Sequence, residues 1–190
     1  MKKNLLISVL MTIVTTILLG LIYPLVVTGL AQVLFRDHAN GQLMRTNGKV
    51  VGSHVIGQPF VGPAYFHSRP SAAGNGYDAA NSGGSNLGPT NHNLIERVNA
   101  AVAAAQVDHP GASVPVDLVT TSASGLDPHI SPAAAEFQVA RVAKVRGLQE
   151  QQVRDLVAEH TETRQWGFLG EPRVNVLDLN LDLDHTTFEK

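Results

Sequence analysis

The sequence predicts a single N-terminal transmembrane helix followed by a compact α+β extracytoplasmic domain. Three observations carry that reading. After Lys2 and Lys3, no charged side chain occurs until Arg36. Residues 37–90 then turn rich in Gly, Asn, Ser and Pro. Beyond them, apolar residues recur at helical spacing between short strand-like runs, the pattern of helices against a small sheet. Residues 1–36 are thereby assigned to a membrane anchor and residues 37–190 to the domain.

As a helix, Leu5–Phe35 would extend about 46 Å at the α-helical rise. That exceeds the roughly 30 Å of a bilayer's hydrocarbon core. Gly29-Leu30-Ala31 offers a small-x-small cleavage site, but the apolar run is far longer than the roughly 7–15 residues of a signal peptide. An uncleaved anchor follows. Lys2 and Lys3 hold the N-terminus in the cytoplasm, while Arg36 on the far flank sits beside Asp37, which places the domain outside the cytoplasm. Ser8, Thr12, Thr16 and Gly20 form a stripe of small residues at intervals of four, expected to be a helix-packing interface. Pro24 removes a backbone donor and is expected to distort the helix near Tyr23.

The remaining elements follow in order. Thr46-Asn47-Gly48 reads as the turn of a hairpin, with a strand at Lys49–Ile56. Ser68–Pro89 lacks apolar periodicity and reads as a long loop. Thr90 is expected to cap a helix whose apolar face is Leu94, Ile95, Val98, Ala101, Val102 and Ala105, ended by Pro110-Gly111. Val116–Thr121 reads as a short strand. Ser131-Pro132 opens a helix through about Arg146, and another spans about Gln149–His160. Leu177, Leu179, Leu181 and Leu183 alternate with polar residues, so the chain is expected to close with a strand over Val174–Leu183, bulged near Leu177.

Composition narrows the function. Only 16 % of the 190 residues are charged, below the roughly 25 % of an average soluble chain. The net charge is −2 without a Lys/Arg block, which argues against a nucleic-acid partner. Absence of cysteine excludes disulfides, thiolate metal sites and a cysteine nucleophile.

"GGSNLGPT", Gly83–Thr90, matches three of the four fixed positions of a phosphate-binding P-loop, with Pro89 in place of the lysine. Ser82, Gly83, Gly84, Gly88 and Thr90 are the candidates for a nucleotide contact, and Ser82-Gly83-Gly84 is similar to the core of a transporter signature motif. Pro89 supplies neither cation nor N–H, and no strand precedes the loop. A glycine-rich turn into the next helix is the stronger reading. Valine at Gly83 or Gly88 is then expected to harm folding or docking wherever the backbone sits at positive φ. Asp127, His129 and Ser131 could form a triad, but Pro128 and Pro132 favour a rigid turn and a helix cap. Ser85 fails the G-x-S-x-G pattern of a nucleophile. The eight histidines are dispersed, so no metal site is expected. Asp178, Asn180, Asp182 and Glu189 match four EF-hand positions, but Leu183 replaces the required glycine. No catalytic residue is assigned.

Four longer stretches, "VGPAYFHSRPSA", "SGGSNLGPTN", "DLVTTSASGLDPHISPAAA" and "HTETRQWGFLGEPRVNVLDLNL", stand in this order behind one apolar helix. Together they resemble the C subunit of the Kdp potassium-transporting ATPase, over essentially the whole chain. Asn91-His92, where many members carry Asn-Pro, is a minor departure. The resemblance implies an accessory, assembly-stabilising subunit of a high-affinity, ATP-driven potassium import pump in the bacterial inner membrane. It implies two partners besides membrane lipid, a channel-like potassium-translocating subunit and a P-type ATPase subunit. It also implies a catalytic chaperone that raises the ATP affinity of the ATPase subunit, with ATP and Mg used by that partner and no cofactor held here. The topology read from the residues favours an indirect effect, by preferential binding to one conformational state. An anchored hydrolase lacks a convincing nucleophile–base pair. An anchored solute- or cell-wall-binding module, with Tyr65, Phe66 and Arg69 lining a cleft, is the alternative.

Overall fold

The computed structural model describes residues 2–46, 48–107 and 109–188. Asn47 of the expected hairpin turn and Glu189 of the EF-hand match lie outside them. The chain separates into two units, one up to Val51 and one from Gly52 onward.

The first unit is dominated by one long helix, Lys2–Leu34, apolar and long enough to cross a membrane by length and composition. It comprises α1 (Lys2–Thr15), a wider π-helical stretch at Thr16–Ile22, and α2 (Tyr23–Leu34). The irregularity expected at Pro24 takes this form. Pro24 has no N–H to offer and its ring would collide with the carbonyl one turn back. The preceding turn widens instead, and the Tyr23 N–H reaches the Leu18 carbonyl, five residues back. Such π segments keep backbone groups paired where an α-helix would break. A short helical turn, α3 (Arg36–Ala39), leads to a two-stranded hairpin of β1 (Leu43–Thr46) and β2 (Lys49–Ser53). The second strand is shorter than its apolar run suggested; it ends at Ser53, where the chain turns back so that Ser53 bridges Ile56.

The second unit is an α+β domain. Its sheet has three short antiparallel strands in the order β3 (His129–Ile130), β5 (Arg173–Asn175), β4 (Thr161–Glu162). His129 pairs with Asn175, and Thr161 with Val174. Against it lie α5 (Pro132–Arg146), α6 (Glu150–Glu159) and α7 (Val176–Phe188). Ser131 caps α5 by accepting the Ala134 N–H at 3.2 Å, and Gly147 ends it in the left-handed conformation at φ 67°. Both ends match the sequence signals for a helix start and stop. Gln149 and Gln152 form a reciprocal capping box for α6. The core joins Ala135, Val139 and Val142 of α5, Val153 and Val157 of α6, Leu179 and Leu183 of α7, with Ile130, Val174 and Phe66.

Three expected elements differ. The strand expected at Val174–Leu183 ends at Asn175, and the chain continues as α7. Asn175 Oδ1 accepts the N–H groups of Leu177 and Asp178 at 3.1 and 3.3 Å, which starts the helix. Val176, Leu179 and Leu183 then share one buried face at helical spacing. No bulge forms at Leu177. The strand expected at Val116–Thr121 is instead a 3₁₀ turn, Val116–Leu118, where Thr120 Oγ1 donates to the Val116 carbonyl at 2.7 Å. The helix expected from Thr90 is α4 (His92–Ala105), and its cap is Asn91, whose side chain accepts the Asn93 N–H at 2.9 Å.

Candidate functional site

The long loop from Ser68 to Pro89 is ordered by hydrogen bonds to a second loop, Ser122–Asp127. Ser71 Oγ donates to the Gly125 carbonyl at 2.6 Å and accepts the Tyr77 N–H at 2.7 Å. Tyr77 OH donates to the Arg69 carbonyl. Burial raises the Tyr77 phenol above its ordinary 10.0, so the hydroxyl keeps its proton at neutral pH. Ser82 Oγ and the Gly83 N–H both donate to the Ser124 carbonyl, at 3.0 and 2.9 Å. Ser122 Oγ in turn accepts the Gly125 N–H at 2.9 Å. The two serine- and glycine-rich stretches that the sequence singled out are thus two sides of one knot.

Arg69 ties this knot to the Thr120–Thr121 stretch that precedes the second loop. Its guanidinium reaches Asp127 Oδ2, Thr120 Oγ1 and the Thr121 carbonyl, each at 3.4 Å. Burial by itself would raise the Asp127 carboxyl. Hydrogen bonds from the His129 side chain and N–H, with the charges of His129 and Arg69, outweigh it and hold Asp127 below its ordinary 3.8. A carboxyl depressed on folding contributes stability above its unfolded pKa and loses it as pH falls through the folded value. Asp127→Asn is therefore expected to lower the melting temperature at pH 7. The gap to the wild type should close as pH falls below 3.8. Thermal scans of both proteins across that range provide the check, and a gap unchanged at pH 3 would contradict the assignment.

The segment Pro63–Ser68, a turn at Gly62–Tyr65 followed by irregular chain, is held without a neighbouring strand. Asn180 of α7 accepts the Phe66 N–H and donates to the Phe66 carbonyl, both at 2.9 Å. Gln138 of α5 does the same for His67, at 2.8 and 3.2 Å. Arg141 donates to the carbonyls of Pro63 and Tyr65, and Arg146 to that of Ala64. Side chains from two helices thus replace a missing strand. His67 Nε2 lies 2.9 Å from the Gly62 carbonyl, so that nitrogen carries the proton. Desolvation lowers the His67 pKa below 6.5, with the Arg141 charge adding to it against the bond to Gly62.

These residues border a cavity of about 430 Å³ between α4 and α5, lined by His67, Arg69, Tyr77, His109, Phe137 and Arg141. No carboxylate lines it among the described residues. On the far side of Arg69, a second cleft of about 330 Å³ holds Asp117, Asp127, His129 and Arg173.

The structure separates the candidates that the sequence grouped. Asp127 and His129 do meet, with His129 Nδ1 3.5 Å from Asp127 Oδ1. Ser131 caps α5, and its N–H donates to Asp117 at 2.8 Å, so the triad is not assembled. The four residues before Ser82 form a 3₁₀ turn with its cap, Asp78 and Ala79–Asn81, where a P-loop has a strand. Gly83 and Gly88 do not have positive φ; Asn86, at φ 51°, does. A β-carbon at Gly83 or Gly88 would meet open space, whereas one at Gly84 would come within 3.0 Å of the Ala123 carbonyl. Thr90 is exposed in the turn before α4. Phe66 is fully buried in the core, and Tyr65 packs its ring 4.8 Å from the Arg146 guanidinium. Asp178 pairs with His54 and Asp182 with His160, while Asn180 holds Phe66, so the EF-hand match is dispersed along α7. Asn180, Gln138 and Arg141 were not singled out in the sequence. Their partners lie far away along the chain, and no local pattern reveals such pairings. In the first unit, Ser8 Oγ and Thr12 Oγ1 donate to carbonyls of their own helix, four residues back and 2.9 Å away. A Cβ at Gly20 would meet only Thr16, at 3.8 Å.

The architecture defines a class: a small α+β module behind one apolar helix, organised by loop knots and side-chain-to-backbone bonds. The family profile described as "KdpC: K+-transporting ATPase, c chain" matches residues 5–185. Among relatives, the chain is 70 % identical over 186 residues to the potassium-transporting ATPase KdpC subunit of Koribacter versatilis, covering 98 % of this chain and 96 % of that protein. It is 62 % identical over 177 residues to the subunit of the same name from Acidobacterium capsulatum, covering 93 % and 95 %. The corresponding Rhodospirillum rubrum subunit is 61 % identical over 171 residues, with 89 % of each covered. The chain belongs to the KdpC family.

Proposed function

We propose that the chain is an accessory, assembly-stabilising subunit of a high-affinity, ATP-driven potassium import pump. The observation that carries this is the end-to-end match to the family over residues 5–185. Its partners are a channel-like potassium-translocating subunit and a P-type ATPase subunit, which itself uses ATP and Mg. The chain holds no cofactor and performs no chemistry. It raises the ATP affinity of the ATPase subunit by binding one of that subunit's conformational states preferentially, so the two equilibria are linked without a shared ligand. Engagement of the Ser82 hydroxyl and Gly83 N–H by the Ser124 carbonyl supports this indirect route. Purification of the tagged full chain in mild detergent tests the reading. Co-purification of both large subunits is expected, and recovery of the chain alone would refute it.

The helix Lys2–Leu34 anchors the chain in the inner membrane, with the N-terminus cytoplasmic and the domain outside. Lys2 and Lys3 support this orientation. Single cysteines at Ser85 and Asp182 are expected to react with a membrane-impermeant maleimide in intact spheroplasts. Labelling only after lysis would put the domain in the cytoplasm.

Ser8, Thr12, Thr16 and Gly20 face a helix of a partner subunit. With the Ser8 and Thr12 hydroxyls bonded within their own helix, close packing at the small side chains carries the contact. Thr16→Leu or Gly20→Leu is expected to weaken association by about 1–2 kcal/mol. Val14→Leu, on the opposite face, should have little effect. Equal losses in a co-purification titration would remove the interface assignment.

A further inference from the structure

The β4–β5 connection ends in a tip that exposes Trp166 (85 %), Phe168 (69 %) and Leu169 (43 %). Nothing in the loop knot or the core uses these side chains. The tip is also rigidly built. Gln165 and Leu169 exchange backbone hydrogen bonds at 2.9 and 3.0 Å, and the Gly167 N–H donates to the Arg164 carbonyl at 3.1 Å. Trp166 is held at φ 51°, a left-handed conformation that costs a large side chain energy. Backbone strain that holds the largest side chain in solvent marks a contact residue, since folding alone gains nothing from it.

We propose that this tip docks into an uncharged, apolar pocket on another protein subunit of the transport complex. The proposal rests on the subunit role proposed above. Two features point to the kind of partner. The stem carries two ion pairs, Arg164–Glu171 at 2.5 Å and Arg173–Glu162 at 2.8 Å, so the rim is neutral in itself and selects no charged surface. Its carboxylates are open to solvent, with the Glu171 side chain 78 % exposed. Pressing the tip into a bilayer would drive these carboxylates into lipid phosphates, which disfavours a membrane. An apolar centre inside a polar rim, anchored by Trp and Phe on a preformed turn, is the anatomy of a protein contact. The turn pairs the N–H groups of Gln165, Gly167, Phe168 and Leu169 internally, which lowers the cost of burying its backbone, and its rigidity limits the entropy lost on docking.

Trp166 is the chain's sole tryptophan, so its fluorescence reports on this tip alone. In the full chain reconstituted by itself, emission typical of water and no quenching by brominated phosphatidylcholine are expected. Strong bromolipid quenching would overturn the proposal in favour of the membrane. In cells, a photo-reactive phenylalanine at position 166 is expected to cross-link to one large subunit of the pump. The double variant Trp166→Ala, Phe168→Ala should retain its melting temperature but lose about tenfold or more in subunit retention after washing. Val116→Ala, at another exposed apolar position, should retain the subunits normally. If the wild type retains the subunits and the double variant does so equally, the tip is not a docking element. If the wild type itself retains none, the subunit role fails, and the docking proposal with it.

Discussion

Asn180→Leu is expected to destabilise the domain by about 2–4 kcal/mol, because it leaves two buried backbone groups without partners. Asn180 is 1 % exposed, and its amide pairs with both the N–H and the carbonyl of Phe66. Leucine has the same branched skeleton and leaves no cavity, and its bulkier methyl groups add an overpacking cost to the loss of the two bonds. Phe66 itself is fully buried against α5 and α7 in the core. Losing the Asn180 clamp should therefore also release the segment that ends in Arg69, and loosen the loop knot beyond it. Thermal unfolding of the full chain, followed by circular dichroism, measures the stability. Limited proteolysis within residues 63–90 reads the knot. A variant within about 0.5 kcal/mol of the wild type, with unchanged cleavage, would mean that the backbone of this segment is satisfied in another way.

That clamp also marks the limit of what the sequence shows. The helices α5 and α6 are legible because their signals are local: Ser131-Pro132 at one start, and apolar residues at helical spacing. The hairpin was legible from Gly48 and the apolar run after it. The C-terminal element was misread for a specific reason. In Leu177–Leu183 a polar residue follows each leucine, which fits a strand, yet Val176, Leu179 and Leu183 fit a helix equally well. The deciding residue is Asn175, whose side chain caps the following turn, and it carried no weight in a reading by periodicity. At α4 the competing caps, Thr90 and Asn91, are adjacent, and the better acceptor takes the position. The loop knot was legible only as two unusual stretches. Their pairing joins residues about fifty apart in the chain, such as Ser71 with Gly125, and no spacing within either stretch encodes it.

Gly125→Ala is expected to disrupt that knot, at a cost of about 2–4 kcal/mol. Gly125 sits at φ 67°, where a side chain is strained, and a β-carbon there would lie 2.6 Å from the Ala73 nitrogen and 2.7 Å from the Gly83 carbonyl oxygen. Both are backbone atoms, so no rotamer change relieves the contact. Gly83→Ala and Gly88→Ala meet open space without positive φ and should stay within about 0.5 kcal/mol of the wild type. This order reverses what a phosphate-binding loop requires, where the glycines of the loop are the ones that resist substitution. The same geometry predicts that Pro89→Lys, which restores the full G-x-x-x-x-G-K-T pattern, gives no ATP affinity. The Gly83 N–H remains bonded to the Ser124 carbonyl, and no strand orients the turn. Equilibrium dialysis of the full chain with labelled ATP, alongside denaturation of the glycine variants, tests both halves together. Saturable micromolar binding, abolished at Gly88 and indifferent to Gly125, would make the loop a nucleotide site. Loss of stability at Gly125 alone, with no binding in any variant, is the expected result, because this stretch exists to hold one loop against another.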